Sequence, residues 1–128
     1  MEASTLLDAH VQAKRIYNLL NEVMDVSRQM AEAMDRDDQV AIQMLVSMRE
    51  EPVHRLRQAR RALKEQRDAL EPEEALRLTQ LLNGEEAKTE AEAPLGAQIG
   101  ANRRLLEQVL ELDRVLNRKL TREKSIYQ

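Results

Sequence analysis

Cysteine, tryptophan and phenylalanine are absent from this chain, and glycine and proline occur only three times each. Each scarcity excludes something. Without cysteine there is no disulfide framework, no thiolate nucleophile and no zinc–thiolate site. Three glycines do not furnish a phosphate-cradling loop of the GxGxxG or Walker kind. No apolar run approaches the ~18 residues of a membrane span, and no signal-peptide pattern opens the chain, so membrane insertion is not expected and the expected compartment is the cytoplasm. Aromatic side chains usually supply much of a globular core, yet here there are two tyrosines, Tyr17 and Tyr127. What remains for a core is Leu, Ala, Val, Met and Ile, interleaved with Glu, Arg and Gln. That is the composition of long helices rather than of sheets. The 128 residues suit a single domain. The expected class is all-α: an elongated antiparallel bundle of three main long helices, with a short extra helix in the middle.

The spacing of apolar residues locates the elements. In the first segment Leu6, His10, Ala13, Tyr17, Leu20, Met24, Ser27, Ala31 and Met34 recur in alternating steps of four and three, a heptad seam. Ile16, Leu19, Val23, Val26 and Met30 widen it into a core-facing stripe. The spacing predicts a helix over about 3–35, roughly 48 Å long, with Ser4 as its cap. Asp35-Arg36-Asp37-Asp38 breaks the pattern, and Asp37 or Asp38 is placed to cap a second helix over about 38–70. Pro52 lies inside that helix, and a kink or short break is expected near residues 49–51. Pro72, followed by Glu73 and Glu74, opens a third helix over about 72–83, because proline at a first helical position and acids in a first turn are both favourable. Asn83-Gly84 stops it. The acidic, small-residue stretch 85–94 reads as a mobile linker or frayed helix. A last helix over about 95–126 carries Leu95, Ile99, Leu105, Leu106, Val109, Leu110, Leu112, Leu116 and Leu120 on an arc of about 160° at 100° per residue, with only Val115 opposite. An arc that wide either packs against two neighbours or leaves a strip for a partner.

Catalytic patterns are scarce. His10 and His54 stand on different helices without an acidic partner at metal-ligand spacing, so neither is given a metal or catalytic role, and no cofactor is expected. The carboxylates are scattered. Asp113 comes nearest to an apolar face, where a rim position reaching water accounts for it. Arg57, Arg60, Arg61 and Lys64 share one helix face within the densest basic stretch, Arg55–Arg67. A phosphate-tracking stripe is the sharp reading, but the net charge of −3 and the lack of aromatic stacking platforms favour a solvated face with Glu65 and Asp68 as partners, and no nucleic acid. Some small helical mutases hold dianionic substrates with converging Arg and Lys; here the basic residues are expected to follow one outward stripe, and the chain is not expected to be an enzyme. Met24, Met30, Met34, Met44 and Met48 gather around the first turn, either as ordinary helical core or as an adaptable apolar surface.

Two local patterns resemble a known family. Asp38 is followed by Val40, Leu45 and Arg49, then Val53 and Leu56; later the chain reads Ile99-Gly100-Ala101-Asn102-Arg103-Arg104-Leu105-Leu106. With a long first helix, a short acidic turn and a long last helix, this is similar to the FlgN-type flagellar export chaperones. Where that family carries a second Asn and a Gly after the first Asn, this chain has Arg104 and Leu105–Leu106. The resemblance implies a non-enzymatic cytoplasmic chaperone whose partners are flagellar hook-associated export substrates and the export apparatus. It also implies a last helix that binds the client, through Asn102, Leu105, Leu106, Val109, Leu110, Leu112 and Leu116. The alternative is a self-assembling coiled-coil adaptor in which the wide stripe is buried in a homodimer.

Overall fold

A computed structural model describes the backbone of residues 1–127 and the side chains of residues 1–121; the side chain of Tyr127 lies outside them. It is all-α. Among the described residues the chain forms α1 (Ala3–Asp35), α2 (Gln39–Asp68), α3 (Pro72–Leu82) and α4 (Ala93–Tyr127). α1 packs on both α2 and α4, whereas α2 and α4 do not pack on each other. α2 runs antiparallel to α1, and α4 runs parallel to α1. The pairing of side chains fixes these directions: Leu6, Ala9 and Ala13 meet Leu63, Leu95 and Ile99 at one end, and Met30, Ala33 and Met34 meet Ile42, Leu45 and Leu116 at the other. Between them Leu20, Val23 and Met24 pack against Leu105 and Val109. The α1 seam is therefore the spine of the molecule, used on two sides at once.

The helix ends follow their local chemistry. Asp38 caps α2, its carboxylate accepting from the Ala41 N–H at 3.1 Å. α1 closes with a paired terminal motif, Asp38 N–H to the Ala33 carbonyl and Asp37 N–H to the Met34 carbonyl, which places Asp37 at φ 55°. α3 closes the same way on Gly84, at φ 92°. Three expectations are corrected. α1 starts at Ala3 behind Glu2 with no side-chain cap, so Ser4 is not its cap. The short break near residues 49–51 does not occur: α2 runs unbroken through Pro52, and Ile42 and Leu45 before it and Ala59 and Leu63 after it are all buried, so packing on both flanks holds the helix through the missing donor.

The third correction concerns residues 85–94. Residues 85–92 are not a frayed helix but a clasped loop, and α4 begins at Ala93. The Glu92 carboxylate accepts from Arg77 Nε at 3.0 Å and Nη2 at 2.6 Å and from the Lys88 N–H at 2.9 Å. Arg77 Nη2 also donates to the Glu86 carbonyl. These bonds hold Glu92 well below the usual carboxylate range, at about 2, the Arg77 hydrogen bond contributing most and the Lys88 N–H next, while Arg77 is raised in turn. One ion pair thus fixes the return of the chain from α3 to α4.

Candidate functional site

Because α2 and α4 pack on α1 but not on each other, a groove opens between them. α3 closes one end: it packs on α2 and α4, and its buried Leu78 and Leu81 reach down to Leu6 and Ala9. Beyond the end of α3 the groove stays open, with a volume of about 280 Å³. Ile16, Leu20, Leu56, Leu63, Ile99 and Leu106 give it an apolar lining; Arg60, Lys64 and Arg67 from α2 and Arg103 from α4 stand on its rim. None of its lining residues is a carboxylate.

A polar tie crosses the cleft farther along. Arg49 on α2 donates through Nε to the fully buried Ser27 hydroxyl of α1 at 3.1 Å and through Nη2 to Asp113 of α4 at 2.7 Å. Arg49 and Asp113 keep 27% and 34% of their side-chain exposure, so this is a half-buried pair. It joins two helices that otherwise stay apart. Arg49 also lines a second depression, of about 460 Å³, with Val46, Glu50, Val53, His54 and Arg57. His54 is exposed and pairs with Gln58 on its own helix. Among the described residues no group of three or more His, Asp or Glu is arranged to hold a metal, and no helix is long and apolar enough to cross a membrane.

The residues singled out on the last helix divide into two sets. Leu105, Val109 and Leu116 are buried against α1. Asn102 is buried as well; its amide donates to the Ala13 carbonyl at 2.8 Å and accepts from Gln98 at 3.0 Å, which ties α4 to α1. Leu106 and Leu112 are half-buried and Leu110 is 45% exposed. Leu106 is the one that lines the groove.

Arg57, Arg60, Arg61 and Lys64 are all exposed, as a solvated face requires, but part of the basic run also meets the groove. Arg60, Lys64 and Arg67 sit beside the strip of α2 that faces α1 (Leu56, Ala59 and Leu63), so they border the groove and converge with Arg103 of another helix. Of the partners expected for them, only Asp68 is met, by Arg67 at 3.2 Å. Sequence reasoning missed Arg103, Ser27 as a hydrogen-bond acceptor, and the Arg77–Glu92 clasp. The methionines also separate: Met24, Met30 and Met34 are core, while Met44 and Met48 are exposed. With Val40 they form an outward row at four-residue steps on α2.

Comparison of the chain with protein-family models, with curated proteins and with solved structures finds no match.

Proposed function

We propose that the protein is a non-enzymatic helical chaperone that holds an amphipathic helix of a protein client in the groove between α2 and α4. The observation that supports this is the slot itself. α3 shows how a helix seats there, and the slot continues beyond α3 with Leu56, Leu82 and Leu106 still half-exposed. A client helix laid along it would bury apolar surface on both sides, in the helix-in-groove mode. The resemblance to flagellar export chaperones supplies the client class: the helix-forming ends of hook–filament junction subunits, held in the cytoplasm before export. Leu106 is the α4 residue in the groove that meets such a client, with the exposed Leu110 one turn farther along, and Leu105, Val109, Leu116 and Asn102 hold the helix that presents them.

The test is amide exchange with and without a peptide from the end of such a subunit. Amides of α4 around Leu106 and Leu110 gain protection on binding, and Leu106→Glu with Leu110→Glu abolishes binding while the helical circular dichroism is kept. Full protection of these amides in the dilute free protein, or binding unaffected by the double substitution, refutes the reading. Self-assembly as an adaptor has one observation in its favour, the exposed row Val40, Met44 and Met48, with relative exposures of 72%, 60% and 52%. Sedimentation decides it: a dimer that Met44→Glu dissociates supports the adaptor, and a monomer at all concentrations refutes it.

A further inference from the structure

The chain as a whole is acidic, with a net charge of −3, yet the groove is lined by four cations and no carboxylate. Arg67 is partly neutralised by its neighbour Asp68; Arg60, Lys64 and Arg103 have no ion-pair partner among the described residues. Arg103 is seated by a local device. Gly84 ends α3 at φ +92°, and a Cβ there would lie 3.0 Å from Arg103 Nε. The bare backbone of the α3 terminus thus lets the Arg103 side chain lie against it at the mouth of the groove.

The shape of the occupant is also indicated. α3 lies across α2 and α4 and reaches α1 only through the buried Leu78 and Leu81, the position of a fourth helix in a bundle. It covers only the first part of that position. From Leu56 to Arg67 the open part spans twelve residues of α2, about 16 Å or three helical turns. α3 enters the slot with Leu78, Leu81 and Leu82, a spacing of three and four.

We propose that the groove selects an acidic amphipathic helix of about three turns, which continues the line of α3, sets apolar residues at i, i+3, i+4 and i+7 on Leu56, Leu82 and Leu106, and presents Asp or Glu to Arg60, Lys64, Arg67 and Arg103. This rests on the reading of the groove as a protein-binding site and adds the sign of the client's charge. Burial of the helix's apolar face supplies the attraction, and the rim charges discriminate among clients and raise the rate of encounter. With no aromatic platform in the groove, a nucleic acid lacks the stacking contacts that a basic surface alone does not replace.

The experiment uses three labelled synthetic peptides and fluorescence anisotropy on the full chain. One carries Leu at i, i+3, i+4 and i+7 with Glu at the flanking positions, the second has Lys for every Glu, and the third has the Glu peptide's composition with its Leu positions scrambled. The Glu peptide is expected to bind at least about tenfold more tightly than the Lys peptide, to weaken with added salt, and to outcompete the scrambled one. Arg60→Glu with Lys64→Glu, both exposed positions, inverts the order of the first two. Equal affinity for the Glu and Lys peptides overturns the charge selection and leaves the groove reading standing. No binding of any peptide overturns both. Glu-peptide binding indifferent to Leu106→Glu, or an oligonucleotide that binds more tightly than the Glu peptide, overturns the proposal, as does a dimer that Leu106→Glu dissociates, since a second copy would then fill the slot.

Discussion

Replacing Glu92 by Gln probes the clasp that turns an acidic, glycine-poor stretch into a defined loop. The carboxylate accepts three hydrogen bonds of 3.0 Å or less, two from Arg77 and one from the Lys88 N–H. The side chains of the pair are only 17% and 10% exposed, so water screens them little. Gln keeps the shape and one acceptor but turns an amide N–H₂ toward the guanidinium and loses the charge. A hydrogen bond to a charged group is worth about 1.5–3 kcal/mol, so the expected loss is about 2 kcal/mol. At roughly 2.1 cal/mol/K of unfolding entropy per residue, a chain of this length loses about 7 °C in Tm.

The pH dependence has a definite sign. The folded-state pKa of Glu92 is lowered from 4.5 to about 2. Its contribution is therefore full above about pH 4.5 and is lost as pH falls through that range toward 2. Thermal unfolding followed by circular dichroism, at about pH 7 and about pH 3, should show the gap between parent and variant shrinking by more than half at the lower pH. A variant within about 2 °C of the parent at neutral pH refutes the clasp, and so does a gap that acid leaves unchanged.

Three further outcomes follow from the packing. Leu81→Ala removes a fully buried side chain that anchors α3 and should cost about 2–4 kcal/mol in denaturant unfolding, with amide protection lost first in α3 rather than around Met30 and Ile42. Gly84→Ala forces a side chain into φ +92° and against Arg103; a loss of about 1–2 kcal/mol is expected, and an unchanged midpoint would contradict the observed helix ending. A double-mutant cycle of Arg49→Met and Asp113→Leu should give a coupling of about 1 kcal/mol, reduced at high salt; zero coupling would mean that the tie between α2 and α4 does not hold in solution.

Much of the fold was legible because helices announce themselves locally. The seam from Leu6 to Met34 marks a buried face at the helix period, Asp38 and Pro72 mark starts, and Gly84 marks a stop. Each signal acts within one or two turns, and the structure keeps all of them. Pro52 does not break α2, because its penalty is local while the packing that holds the helix comes from α1. The loop 85–92 misled for a related reason: its order depends on Arg77, fifteen residues before Glu92, and composition records no such partnership.

The candidate site was legible only in part. The wide arc on α4 correctly signalled more apolar surface than one neighbour uses, but a helical wheel places residues around their own axis and does not say which neighbour a flank meets. So Leu105, Leu106 and Leu110 looked alike, while the fold buries the first, half-buries the second at the groove and leaves the third exposed. The basic run on α2 reads as a solvated face and is exposed, but nothing in the sequence placed Arg103 across the groove from it.

The sequence by itself determined an all-α chain, its four helices, most of their ends and the buried seam of α1, because periodicity, capping and turn chemistry are short-range. Only the tertiary structure decided that α1 serves both neighbours while α2 and α4 stay apart, that Arg49 joins Ser27 and Asp113 across 22 and 64 residues, and that Asn102 reaches Ala13 across 89. Those contacts arise from how whole helices stack against a shared spine, and that stacking makes a groove with an apolar floor and a positive rim in a chain whose overall charge is negative.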